Sequence, residues 1–150
     1  MGGETHIGVG KIKLLTAIND YNTPCSFMVD LVHQGKKGLL KKGHMFGTGM
    51  IIATTKQIIR MMRQKEESFV NLHLNNIRVE DLFDTGSKFD PQDPSVVFRI
   101  GTNVFRTKRK KDAGTNAEFS EFFNVELPFE EYKDNLKVNK IVNLIFHFDK

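Results

Sequence analysis

Phe69-Val70-Asn71-Leu72-His73-Leu74-Asn75-Asn76-Ile77-Arg78-Val79 decides the fold class of this chain. Val70, Leu72 and Leu74 recur every second residue with polar side chains between them. That is the period of a half-buried strand and not of a helix. The same spacing returns far downstream in Val142, Leu144, Phe146 and Phe148. Between and before these two stretches, further β-type runs are bounded by turn residues. They cover Gly8 to Thr16, Ser26 to His33, Gly47 to Thr54, Ser95 to Ile100, Asn103 to Lys110 and Glu118 to Glu126, and the downstream stretch itself runs from Lys140 to Phe148. Gly101-Thr102-Asn103 reads as a hairpin, Asp112-Ala113-Gly114-Thr115-Asn116 as a longer turn, and Asp90-Pro91-Gln92-Asp93-Pro94 as a loop that proline keeps out of a strand. Eight runs of this kind predict an all-β, eight-stranded antiparallel sandwich.

One stretch departs from the pattern. Lys56 to Glu67 places Ile58, Ile59 and Met62 at helical spacing, which predicts one helix between an N-terminal and a C-terminal group of strands. Glu131 to Leu136 reads as a short helical or irregular excursion. A chain of 150 residues has the length of one domain and closes a core without covalent staples. Its single cysteine, Cys25, forms no internal disulfide and supplies no Cys-rich zinc site. The start, Met1-Gly2-Gly3-Glu4-Thr5-His6, carries no basic segment leading into an apolar one, and no window approaches the roughly 18 apolar residues of a membrane span. The expectation is a cytoplasmic protein.

The formal net charge of +4 says less than its distribution. Arg106, Lys108, Arg109, Lys110 and Lys111 form one basic cluster, and Lys36, Lys37, Lys41 and Lys42 a second. Acidic residues collect in Glu80 to Asp93 and in Glu118 to Asp134. A surface polarised in this way favours an anionic partner.

Several segments carry a family resemblance. Asp93-Pro94-Ser95-Val96-Val97-Phe98-Arg99-Ile100-Gly101 resembles the Asp-Pro strand of C2 domains, and Val104-Phe105-Arg106-Thr107-Lys108-Arg109-Lys110-Lys111 is similar to the lysine-rich strand that follows it. Gly114 to Phe123, which begins Gly-Thr-Asn, resembles the family's next segment. Phe69 to Val79 precedes them, as the family's first strand does. Ile145-Phe146-His147-Phe148-Asp149-Lys150 is similar to the strand entering the third calcium loop, where the chain stops. The remaining strands resemble its beginning: Glu4 to Leu14, with its Ile-Gly-Val-Gly core, Phe27 to Leu31 followed by Gly35-Lys36-Lys37, and Gly47 to Ala53. The order is therefore rotated. The resemblance implies either a single circularly permuted C2 sandwich over 1–150, or a fragment with the tail of one C2 domain and the head of the next. In the permuted reading, 1–55 supply the family's C-terminal strands, 56–68 a helical linker and 69–150 its N-terminal strands. A domain-swapped dimer is a variant of the same closure.

The resemblance also implies calcium. Calcium takes roughly 6 to 8 oxygen ligands, so opposing loops must converge to supply them. Asp93 and Asp149 match two of the family's carboxylates. Ser87 stands where a third belongs, with Asp84 or Asp90 as substitutes through a longer loop, and Glu4 matches the last only if the two chain ends meet. The middle carboxylate of the third loop is missing, which implies weak or lost calcium binding. Asp93 has a structural reading too, as the cap of a turn.

The basic strand carries the functional expectation. Alternation puts Arg106, Lys108 and Lys110 on one face and Thr107, Arg109 and Lys111 on the other. The resemblance implies a concave patch for phosphatidylserine or phosphoinositide headgroups, so the chain reads as a peripheral membrane module. The plain alternative is an edge strand kept charged against aggregation. Leu82, Phe83 and Phe89 flank the presumed first loop and provide the apolar tips that a membrane anchor needs. Lys36, Lys37, Lys41 and Lys42 read as a solubilising loop. Nucleic acid is disfavoured because Phe105, Phe119, Phe122 and Phe123 have core spacing and tryptophan is absent. Catalysis has no support: His6, His33, His44, His73 and His147 lack metal-ligand spacing, Cys25 has no activating neighbour, and the glycine pairs Gly8/Gly10 and Gly47/Gly49 lack a phosphate loop's context. The competing non-enzymatic reading is a protein-interaction scaffold without lipid affinity.

Overall fold

The computed structural model describes residues 6–13, 22–52, 68–100, 103–132, 135–137 and 143–149. They form ten strands: β1 His6–Lys13, β2 Cys25–Gly35, β3 Gly38–Ile52, β4 Ser68–Glu80, β5 Ser95–Ile100, β6 Asn103–Arg106, β7 Ala117–Phe119, β8 Phe123–Tyr132, β9 Asn135–Lys137 and β10 Asn143–Asp149. Every pairing is antiparallel. The all-β expectation holds, with ten strands in place of eight. The helix expected at Lys56 to Glu67 lies outside the described residues, among which no helix occurs.

The strands follow one another in the order β6-β5-β10-β1-β2-β3-β4-β8-β9, with β7 beside β4. β5 and β8 lie well apart in this order, yet the Phe98 and Phe123 ring centroids are 5.3 Å apart and those of Phe105 and Phe123 5.8 Å apart. The sheet therefore curls until its two flanks share one core. Phe98, Ile7, Leu31, Met45, Ile51, Leu72, Leu74 and Ile77 are the largest side chains fully enclosed there.

Alternation builds that core locally. Phe27, Val29, Leu31 and His33 of β2 point inward and their neighbours outward. Opposite them, β3 sends in Gly43, Met45, Gly47, Gly49 and Ile51. Gly47 faces Phe27 across the ladder, and a Cβ on it would come within 2.6 Å of the Phe27 ring. The glycine is the space that the ring fills.

In β4 the inward phase shifts midway. Leu72 and Leu74 are buried, then Ile77 and Val79. Between them Asn76 has a left-handed φ of 50°, and the β3 pairing steps from Thr48↔Asn75 to Phe46↔Arg78. That is a bulge, one extra residue that lets both halves keep their apolar side chains inside. It also divides the partners of β4: the first half pairs with β8 as far as Leu74↔Phe123, the second with β7 from Ile77↔Phe119.

Several expected boundaries are corrected. The strand expected from Gly47 begins at Gly38, because Gly35 and Gly38 pair around the two-residue Lys36-Lys37 turn. The strand expected through Lys110 ends as a ladder at Arg106. The run Glu118 to Glu126 is split into β7 and β8, and the excursion expected over Glu131 to Leu136 is instead the β8–β9 pairing, Glu131 opposite Leu136.

Candidate functional site

One end of the sheet gathers most of the residues singled out by the sequence. β4 ends at Glu80 opposite His44, whereas β3 starts six residues earlier at Gly38, so the β2–β3 hairpin overshoots its neighbour. The 81–94 loop leaves β4 at this same end. β5 begins here, Ser95 opposite Asp149, and β1 begins here, His6 opposite Asp149. The first and last strands are thus neighbours, and their outer ends belong to the same rim.

The rim is stitched together by backbone groups. Leu82 N–H donates to the Thr115 carbonyl at 3.0 Å, Gly114 N–H to the Gln92 carbonyl at 2.9 Å, and Asp81 N–H to Asn116 Oδ1 at 3.0 Å. Gln92, almost fully buried, organises the 81–94 loop: its Oε1 accepts from Thr85 N–H at 2.9 Å and from Thr85 Oγ1 at 2.8 Å, and its Nε2 donates to the Phe83 carbonyl at 3.2 Å. A buried amide earns its place only when both its oxygen and its nitrogen are engaged, as here. Sequence reading missed Gln92; a glutamine between Pro91 and Asp93 carries no signal of burial.

The basic cluster enters this rim from the sheet edge. After Arg106 the chain leaves the ladder but stays along β5, Thr107 N–H donating to the Val96 carbonyl at 2.9 Å and Lys110 N–H to the Pro94 carbonyl at 3.0 Å. Thr107 is buried, its hydroxyl accepting Val96 N–H at 2.9 Å. The expected two-faced alternation is therefore corrected. Thr107 alone turns inward, and Arg106, Lys108, Arg109, Lys110 and Lys111 are all exposed. The cluster runs along the outer strand of the sheet, toward the Lys111–Gly114 turn, and not across a sheet face.

The carboxylates behave differently. Asp93 accepts Asp112 N–H at 2.7 Å, which ties the 81–94 loop to the turn after the basic segment. Asp84 accepts Gly86 N–H at 2.9 Å two residues on. Asp90 meets Ser87 through its backbone, in a small bridge that lifts Lys88 and Phe89 to the loop apex. Among the described residues no three His, Cys, Asp or Glu side chains come together as a metal would require. Glu4 lies outside the described residues. Asp149 is placed only as the last residue of β10.

Two residues beside the rim tie its elements together. His33 is buried, its Nδ1 lying 2.8 Å from the Ile7 carbonyl and its ring stacked on Phe83 at 3.8 Å. A carbonyl only accepts, so Nδ1 carries the proton, and the ring fixes β1, β2 and the loop to one another. Lys42 pairs with Asp81 at 2.6 Å. Phe89 at the loop apex is 95% exposed. It is the most exposed large apolar side chain among the described residues.

Comparison of the chain with family models, with curated proteins and with solved structures finds no match.

Proposed function

We propose that this protein is a peripheral membrane module that docks its loop rim onto an anionic bilayer, with Arg106, Lys108, Arg109, Lys110 and Lys111 as the electrostatic contact and Phe89 as an apolar anchor. The observation that carries this reading is the convergence of exposed cations and an exposed aromatic at one end of the sheet. A cation near an anionic leaflet contributes about 1 kcal/mol, and an aromatic ring at the interface adds attraction that salt does not screen. Neither alone holds a protein firmly; together they do.

The fold reading that accompanies it is a permuted C2-type sandwich. The β1–β10 pairing supports a closed unit over a fragment of two domains, since the strand expected to enter the third loop lies beside the one expected to leave it. Calcium plays a minor part in this proposal. The Asp84 and Asp93 carboxylates already accept backbone N–H groups of the rim, so a bound cation would have to compete with those hydrogen bonds.

Co-sedimentation with vesicles of phosphatidylcholine alone, or with added phosphatidylserine or phosphoinositide, tests the proposal at low and high salt, with calcium and with chelator. Expected is binding to the anionic vesicles that weakens with salt and is unchanged by chelator. Binding that required calcium would return the function to the carboxylate loops. Absence of binding in every condition would overturn the membrane reading and leave the interaction scaffold.

A further inference from the structure

We infer that the tip of the β2–β3 hairpin, Lys36 to Lys41, is a second bilayer-inserting element, which rests on the membrane reading above but names a site that reading does not use. Past the end of β4 the hairpin continues with no neighbour beside β3, while β1 still lies beside β2 at Val32 and His33; Val32↔Lys41, His33↔Leu40, Gln34↔Leu39 and Gly35↔Gly38 face one another. Leu39 is 75% exposed and Leu40 47% exposed. They are consecutive in a strand, so they leave the ribbon on opposite faces: Leu40 on the face of its partner His33, beside the His33–Phe83 stack, and Leu39 on the outer face with Gln34. Leu40 stands half exposed at the margin of the core, and Leu39, on the opposite face, lies wholly outside it.

Three further features specify what covers them. Lys36, Lys37 and Lys41 surround the leucines, and no acidic residue occurs between Leu31 and Lys42. Apolar side chains ringed only by cations complement an anionic bilayer, with headgroups outside and acyl chains within. The cross-strand pairing satisfies only the inward-facing half of the tip's backbone groups, so the tip reaches the headgroup interface, where water pairs the rest, and not the hydrocarbon centre. The base of the hairpin is fastened to the Phe89 loop by the Lys42–Asp81 ion pair and the His33–Phe83 stack. Phe89 and the leucines therefore meet a membrane as two fixed points, and two points restrict the tilt of the sheet where one would leave it free.

The chain contains no tryptophan, so Leu39→Trp and Phe89→Trp each create a sole reporter in the 150-residue chain. On phosphatidylcholine vesicles containing phosphatidylserine, both emissions are expected to shift to the blue and to be quenched by lipids brominated along the acyl chain. The pair Leu39→Asp and Leu40→Asp is expected to weaken binding to the same vesicles by about tenfold or more, the loss appropriate to apolar side chains that no longer insert. Met28→Asp, a comparably exposed apolar position near the start of β2 and at the end of the sheet away from the rim, serves as the control and should leave binding within about twofold. A blue shift at Phe89→Trp with a water-like spectrum at Leu39→Trp would overturn the hairpin inference while leaving the membrane reading intact. Silence from both reporters, together with no sedimentation, would remove both. A blue shift at Leu39→Trp that grew with protein concentration in the absence of vesicles would assign the tip to a second copy of the chain and overturn the inference.

Discussion

The body and the tip of the β2–β3 hairpin are one continuous ribbon with opposite physical designs. From Phe27 to His33 and from Gly43 to Ile51, inward positions are buried in strict alternation, and glycine appears where a partner's ring needs its volume. From Gln34 to Lys41 the alternation vanishes, apolar and cationic side chains are exposed together, and Gly38 is there for its left-handed φ of 112°. The same ladder thus serves packing at one end and presentation at the other. The difference teaches that exposure is informative where the pattern that produced burial stops while the backbone pairing continues.

Substitutions in the body should change stability and spare lipid binding; those at the rim should do the reverse. The largest effect is expected for Phe98→Ala, which empties the contact between the two flanks of the sheet and should cost about 3–5 kcal/mol in a denaturant titration, with vesicle affinity of the remaining folded protein unchanged. Next is the combined Arg106→Glu, Lys108→Glu and Lys110→Glu. Removing three cations forfeits about 3 kcal/mol of attraction before any repulsion is counted, so sedimentation with anionic vesicles should be lost while the denaturation midpoint barely moves. Unchanged binding would break the comparison at its functional end. Gly47→Ala should cost about 1–3 kcal/mol, because the new methyl group meets the Phe27 ring, and Phe27→Leu in the same molecule should recover part of the loss. The smallest effect belongs to Asp93→Ala, about 1 kcal/mol from the hydrogen bond to Asp112 N–H, measured equally with calcium or chelator. A calcium-dependent rise in the melting temperature of the parent protein that vanished in this variant would make Asp93 a ligand instead of a cap.

The strands that were legible in the sequence are those with one covered face. Leu72 and Leu74 in β4, and the Val96-Val97-Phe98 run of β5, announced themselves by period or by continuity. The first part of β3 did not, because Gly38 to Lys42 covers nothing and so carries no period; only the pairing with β2 makes it a strand. The bulge at Asn76 was also invisible, since an asparagine pair reads equally well as two outward positions. At the rim, the identities of the cations were legible but not their directions. Periodicity assigned Arg109 and Lys111 to the face of Thr107, whereas the Thr107 hydroxyl, bonded to Val96 N–H, turns that residue alone inward. The carboxylates show the converse limit. Asp84 and Asp93 have the composition of a ligand set, and only geometry reveals that one oxygen of each also accepts a backbone N–H of the rim.

The position of β10 between β5 and β1 has a kinetic consequence. Its ladders join Asn143–Asp149 to residues near the opposite end of the chain and to the middle of it, and the β1 ladder closes the longest loop among the described strands. Contacts of such sequence separation form late and slow the reaction, placing this domain with the β proteins that fold in milliseconds to seconds. Until β10 arrives, β5 and β1 each present an unpaired edge, and a nascent chain delayed at that step offers two templates for a neighbour's strand.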